Sequence, residues 1–103
     1  MEGMELICFQ IIASVGTARS YFIEAIQKAR KGDFDGAVKS IQDGENEFVT
    51  AHQAHGELIA NEAGGNKTEV SLLLMHAEDQ LMSAETIKII AEEMIELCRK
   101  VVD

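Results

Sequence analysis

The sequence is poor in the residues that build β-sheets and in those that interrupt helices. It has no proline and no tryptophan among 103 residues, and aromatic residues make up only 5%. β-branched residues do not alternate regularly with polar ones, as they would along half-buried strands. Gly32 and the pair Gly64-Gly65 stand where the apolar periodicity breaks. These features predict an all-α fold, built as one small domain over residues 1–103.

Positive charge is also scarce. The chain has 9 Lys and Arg against 18 Asp and Glu, a formal net charge of -9. Nucleic-acid binding needs clustered Lys and Arg to neutralise phosphates, and an anionic membrane surface makes the same demand. We therefore expect neither a nucleic-acid partner nor attachment to a membrane surface.

Signals for export or membrane insertion are missing as well. The first residues, MEGMEL, lack the basic segment of a signal peptide. The longest uncharged run, 6–18, is shorter than the roughly 20 apolar residues that a spanning helix needs. Cys8 and Cys98 show neither a CxxC motif nor metal-ligand spacing, so we expect buried, reduced thiols. The predicted location is the cytoplasm.

Two breaks in the apolar pattern predict three long helices. Gly32 suits the position after a helix C-terminus, and Asp33 suits the N-cap of the next helix. At the second break Asn66 or Thr68 can cap the third helix, and Asn66 with Glu69 has the spacing of a capping box. Short connections favour an antiparallel up-and-down bundle. The predicted helices span 4–31, 33–62 and 68–101.

The first helix carries more apolar residues than one buried stripe requires. A helix in a three-helix bundle buries a single stripe, so a second apolar face needs another chain to cover it. We therefore expect self-association. The large apolar residues of this helix are Leu6, Ile7, Phe9, Ile11, Ile12, Val15, Tyr21, Phe22, Ile23 and Ile26.

The third helix contains an apolar stripe with a carboxylate in it. The stripe consists of Leu72, Met75, Asp79, Met82, Thr86 and Ile89, spaced alternately by three and four. His76 lies three residues before Asp79, as a neighbour on the helix surface. A buried, unpaired carboxylate costs several kcal/mol, so it needs a partner. If the stripe is a self-association seam, symmetry gathers copies of Asp79, and shared protons or a cation such as Mg²⁺ must offset their repulsion.

Histidines without a motif are usually structural, and the residues alone leave that interpretation of His76 open. His52 and His55 are three apart, a spacing that suits a metal, but no third ligand stands nearby in the sequence. We therefore interpret these two as structural or surface histidines.

The segment VSLLLMHAEDQLM, residues 70–82, resembles the signature VSLLLVHAQDHLM of the lactose/cellobiose-type enzyme IIA components of the bacterial phosphoenolpyruvate-dependent sugar phosphotransferase system. Further segments resemble that family in the same order, so the resemblance spans nearly the whole chain. These segments are 16–20, 32–34, 51–53 and 57–59.

The resemblance implies a phosphotransferase component that works as a homotrimer, a nine-helix bundle of three-helix protomers. It implies that His76 accepts a phosphoryl group on Nε2 from phospho-HPr and passes it to a cysteine of the cognate enzyme IIB. The membrane enzyme IIC then delivers a disaccharide of the lactose, cellobiose or chitobiose class for phosphorylation. Asp79 is expected to meet its two symmetry mates around a Mg²⁺ ion on the trimer axis.

The chain departs from the family pattern around His76. Glu78 stands in place of a glutamine, and Gln80 replaces a histidine one turn above His76; His55 also stands where glutamine is usual. Glu78 points some 200° from His76 around the helix, so its charge would oppose phosphate only in a neighbouring protomer's site. Gln80 can form hydrogen bonds but cannot become cationic. We expect the phosphocarrier role to survive, because His76 and Asp79 are intact.

Two other functions compete with the phosphocarrier. One is a non-catalytic, oligomeric helical module that binds proteins, which gives no reason for Asp79 on the stripe. The other is a histidine phosphotransfer domain, which usually has four core helices and an HxxKG-like surround, whereas this chain has three predicted helices and the segment HAEDQ.

Overall fold

The structure, a computed structural model, describes residues 3–101 as three long helices. Helix α1 spans Gly3–Arg30, α2 spans Phe34–Ala63 and α3 spans Leu72–Val101. No strand occurs within this range, which confirms the all-α prediction. The predicted domain limits at 1 and 103 lie outside the described residues. The bundle measures 55 × 24 × 20 Å, as expected when helices of about 45 Å lie side by side.

The turn between α1 and α2 forms as predicted. Gly32 has a φ of 87°, a left-handed conformation that favours glycine. Its N–H donates to the carbonyl of Ala29 at 3.0 Å, and the N–H of Asp33 donates to the carbonyl of Lys28 at 2.9 Å. This is the Schellman arrangement. The Asp33 carboxylate then accepts from the N–H of Gly36 at 2.9 Å, which caps α2.

Helix α3 begins four residues later than the predicted start at 68. The N-terminal cap is Ser71, whose hydroxyl accepts from the N–H of Leu74 at 3.1 Å. A serine directly before the first periodic apolar residue satisfies a free N–H of the first turn as well as asparagine or threonine would. The predicted cap at Asn66 or Thr68 is therefore wrong.

Asn66 is unavailable as a cap because it belongs to the end of α2. Its N–H donates to the carbonyl of Asn61 at 3.0 Å, across Gly65, which has a φ of 96°. The N–H of Gly65 donates to the carbonyl of Glu62 at 3.1 Å. The C-terminal motif of α2 thus continues through Asn66, and residues 66–71 run without helical structure to Ser71.

Helix α1 packs against both other helices and supplies the centre of the core. Phe22 is fully buried, and its ring lies 6.0 Å from that of Phe48 on α2, centroid to centroid. Gly44 makes this packing possible, because a Cβ there would overlap the ring of Phe22. The buried residues of α1 are Cys8, Ile11, Val15, Ala18, Phe22, Ala25 and Ala29.

The same helix is the one element in residues 3–101 that is long and apolar enough to cross a membrane, with a mean hydropathy of 1.4 over its most apolar window. In this fold one side of α1 contributes apolar side chains to the core. On the other side Leu6, Phe9 and Ile23 stay exposed. The surplus apolar surface inferred from the sequence is therefore present on the folded chain.

Candidate functional site

One face of α3 is an exposed apolar stripe. It is the set of residues predicted from the heptad spacing, and all six are exposed. Leu72 is 83% exposed, Ile89 62%, and Met75 and Met82 are each 58% exposed. Within residues 3–101, the rest of the chain leaves this face uncovered. The stripe consists of Leu72, Met75, Asp79, Met82, Thr86 and Ile89.

His76 lies at the edge of this stripe, in the second turn of α3. Its ring is exposed, and together with Leu72 and Leu73 it lines a shallow, mostly apolar depression. Helical side chains lean toward the N-terminus, so the ring lies over the first turn of α3. The N-terminal end of a helix favours negative charge, and a phosphate on His76 would benefit from it.

The other two histidines are already engaged with α3. Nε2 of His52 lies 3.0 Å from Oε1 of Glu85, and the His52 ring stacks on Phe48 at 4.4 Å between centroids. Nε2 of His55 lies 2.8 Å from Oε2 of Glu78. An ionised carboxylate only accepts, so each imidazole donates. His52 and His55 therefore each link α2 to α3, which is the arrangement expected of structural histidines.

His76 differs from both. Among the hydrogen bonds and ion pairs formed within residues 3–101, none involves its ring. An exposed imidazole with an uncommitted nitrogen has the lone pair that a nucleophile needs near neutral pH. The arrangement therefore leaves one histidine of three available for chemistry.

Asp79 is exposed beside His76, and no ion pair within the described part of the chain engages it. The same part of the chain contains no group of three or more His, Cys, Asp or Glu side chains that could hold a metal ion. A single chain thus offers one carboxylate, which is an oxygen donor of the kind Mg²⁺ prefers. The donor fits an ion only where several copies of Asp79 gather, so the Mg²⁺ prediction concerns the assembly rather than the chain.

Glu78 does not project freely toward a neighbouring chain. The structure pairs it with His55 of the same chain, on the side of α3 that faces α2. Glu78 also lies close to Cys8, whose thiol pKa is raised by burial and, secondarily, by the negative charge of Glu78. Cys8 is fully buried and free, as predicted, whereas Cys98 is free and half-buried.

The sequence reasoning missed the ion pairs between α2 and α3. Besides the two histidine pairs, Lys88 lies 3.0 Å from Glu45. The hydrogen bond of Lys88 to Glu45 raises the pKa of the lysine. The sequence contains one trace of these pairs. Between antiparallel helices the residue number rises on one helix as it falls on the other, so the two numbers of each pair add up to nearly the same value. This relation can be used only once the antiparallel register is known.

The comparisons with known proteins agree with this geometry. Residues 6–99 match the family described as the lactose/cellobiose-specific IIA subunit of the phosphotransferase system. The chain belongs to this family. It is therefore an enzyme IIA component, a phosphotransferase subunit, and the histidine phosphotransfer alternative is excluded.

Individual relatives are similar over nearly their whole length. The lichenan-specific phosphotransferase enzyme IIA component of Bacillus subtilis is 50% identical, with 99% of this chain and 93% of that protein covered. The crystal structure of the cellobiose-specific enzyme IIA of Bacillus anthracis has a TM-score of 0.91 at 41% identity, covering 98% of this chain and 94% of that one. A solution structure of the chitobiose IIA–HPr complex of Escherichia coli has a TM-score of 0.84 at 32% identity, with both chains fully covered.

Proposed function

We propose that this enzyme IIA carries its phosphoryl group on His76. The group comes from phospho-HPr and passes to a cysteine of the cognate enzyme IIB. The observation that carries the proposal is the contrast among the histidines: the rings of His52 and His55 are bound to glutamates, and that of His76 is exposed and unengaged within residues 3–101. The HPr partner is supported by the relative solved as a IIA–HPr complex.

The transfer requires only the phosphohistidine of the donor, His76 and the cysteine of the acceptor. The lone pair of Nε2 of neutral His76 forms a bond to phosphorus while the N–P bond of the donor breaks, and the donor imidazole keeps that electron pair. One proton then moves from the other nitrogen of the His76 ring to the donor ring through solvent. In the second step the cysteine thiol gives its proton to solvent, and the thiolate lone pair forms the S–P bond while the N–P bond of His76 breaks. The His76 ring keeps that electron pair and takes up a proton from solvent. Such in-line transfers depend mainly on positioning and charge stabilisation.

The exposed stripe of α3 supports assembly as a homotrimer with Asp79 at the axis. Four apolar side chains more than half exposed are unfavourable in water, and contact with two further copies would bury them. Three carboxylates would then lie together, and a shared Mg²⁺ held by Asp79 would neutralise their repulsion. In this assembly the ion serves structure rather than the transfer step.

The proposal for the sugar is supported by the names of the relatives, and the proposal for the location by the proposed partners. Their names refer to lichenan, cellobiose, chitobiose and lactose, so we propose a disaccharide of this class as the cargo of the system. The membrane enzyme IIC would carry it, and this chain would act in the cytoplasm, where phospho-HPr and enzyme IIB meet it.

The test is phosphorylation with phosphoenolpyruvate, enzyme I and HPr, read by intact mass. We expect the wild-type chain to gain one acid-labile phosphoryl group and His76→Ala to gain none. The matched control is His52→Ala, which removes an exposed histidine from α2 and should still accept the group. The proposal is wrong if His76→Ala is phosphorylated, or if the wild type takes nothing from HPr that is verifiably phosphorylated.

A further inference from the structure

Helices α2 and α3 approach each other closely at few positions, because each packs chiefly against α1. Three pairs of polar side chains join them, one lysine–glutamate ion pair and two histidine–glutamate hydrogen bonds, and we refer to these as the α2–α3 bridges. Because close contacts between these helices are few, the bridges contribute to fixing α3 relative to α2. The α2–α3 bridges are Glu45–Lys88, His52–Glu85 and His55–Glu78.

The His55–Glu78 pair is the most protected of the three. Its side chains are 23% and 36% exposed, against 54% and 49% in the His52–Glu85 pair. It is also the shortest, at 2.8 Å. Glu78 lines a small cavity of about 90 Å³ together with the apolar residues Leu58 and Leu74 and a second carboxylate, Glu62. A hydrogen bond partly shielded from water is stronger than an exposed one.

This pair lies near the N-terminal end of α3, close to the phosphorylation site proposed above. Glu78 is two residues beyond His76, and residues 66–71, before the helix, have no helical structure. In the first two turns of α3 the buried anchors are Leu74 and Ala77. A rotation or fraying of these turns would move the His76 ring, and the His55–Glu78 pair opposes it from α2.

We propose that the His55–Glu78 pair positions the phosphorylation site. By fixing the first turns of α3 on α2, it holds His76 in the orientation for in-line transfer. It also keeps the Glu78 carboxylate beside a cationic or hydrogen-bonding partner, away from the incoming phosphate. The inference rests on the proposed function of His76. Misplacement of a reacting group by about 1 Å can lower a rate by about a hundredfold, so modest loosening has a measurable effect.

The pair predicts a specific pattern in a double-mutant cycle. His55→Leu leaves Glu78 without its hydrogen-bond donor, and Glu78→Leu leaves the His55 imidazole without its acceptor. Each should lower the maximal single-turnover rate of phosphoryl acceptance by about five- to tenfold, with the half-saturating phospho-HPr concentration changed less than about twofold. In the double variant neither polar group is left unpaired, so its rate should return to within about threefold of wild type.

The matched control breaks the neighbouring, more exposed bridge. His52→Leu and Glu85→Leu make the same chemical changes on the same two helices, farther from His76 along α3. We expect each to change the rate by less than about twofold. Circular dichroism at the assay temperature establishes that every variant is folded, so that a lower rate reports positioning and not unfolding.

Three outcomes would overturn the inference. The His55→Leu variant could keep the wild-type rate, the control bridge could matter as much, or the double variant could be no faster than the slower single one. A wild-type chain that accepts nothing from phosphorylated HPr would overturn the proposed function and this inference together. The wild-type reaction therefore separates the two kinds of failure.

Discussion

The two apolar faces of α3 differ in how they are satisfied. The face toward α1 carries Leu74, Ala77 and Leu81, all buried, and is complete within one chain. The opposite face carries Leu72, Met75 and other residues that stay more than half exposed. Only the second face contains a carboxylate, and His76 lies at its edge. The comparison shows that apolar periodicity alone does not reveal which face is the core, whereas a charge within the stripe marks the face that we propose for assembly and chemistry.

Truncation should separate the two faces most strongly. Leu81 is 1% exposed, so Leu81→Ala should lower the free energy of unfolding by about 2–5 kcal/mol through lost burial and a cavity. Leu72→Ala, at a side chain 83% exposed, should cost the single chain less than about 0.5 kcal/mol. Chemical denaturation at concentrations where the chain is monomeric measures both. Equal losses would mean that the faces are not distinct.

A charge placed on the exposed stripe should break assembly without unfolding the chain. Met82→Glu puts a second carboxylate one turn from Asp79, and like charges at a seam repel. We expect the midpoint concentration for oligomer formation to rise at least about tenfold, measured by sedimentation. Gln53→Glu, an exposed position on α2, makes the same charge change off the stripe and should have no effect. An unchanged oligomer in Met82→Glu would exclude this stripe as the seam.

Asp79 allows a further test of the exposed face, because it is the charged member of the stripe. Chelation of Mg²⁺ should weaken the wild-type oligomer by about three- to tenfold, since the gathered carboxylates lose their counterion. Asp79→Asn removes the repulsion, so its oligomer should form equally well with and without chelator. Sedimentation with added Mg²⁺ or chelator gives both values. If chelator leaves the wild-type oligomer unchanged at pH 7 and above, carboxylates that share protons are favoured over a bound ion.

The smallest expected effect is on stability at alkaline pH. It involves Cys8 in the core and Lys88 between α2 and α3. Burial raises the pKa of the Cys8 thiol, and the hydrogen bond to Glu45 raises that of Lys88. A raised folded-state pKa means that the folded chain holds the proton more tightly. This contribution is complete below the unfolded pKa and is lost as the pH rises through the folded one. The free energy of unfolding should therefore fall gently from about pH 8 upward, first through Cys8.

Denaturant unfolding at successive pH values measures this slope. Cys8→Ala is less stable overall because it loses packing, but its stability should depend less on pH between about 8 and 10. An identical slope in wild type and variant would show that the thiol does not contribute.

Local chemistry and periodicity account for what the sequence predicted. Gly32 and Asp33 act within a single turn, so their roles could be read directly, and the stripe of α3 follows from spacing alone. The start of α3 was misplaced because Asn66 is engaged by Asn61, a choice between two adjacent motifs that composition does not decide. The His55–Glu78 pair joins residues 23 apart and depends on helix register, so its existence could not be foreseen. The proposed assembly and its ion involve chains other than this one, so one sequence read alone does not fix them.

The unequal connections of the bundle have a consequence for the order of folding. Three residues join α1 to α2, whereas eight separate α2 from α3. Short-range contacts form fastest, so the α1–α2 hairpin should assemble first and α3 should dock onto it last. The helix that docks last, with its sparse contact to α2, is also the one expected to open first in native-state hydrogen exchange. His76 therefore lies on the most readily displaced helix of the bundle, in the turns that follow its longest connection.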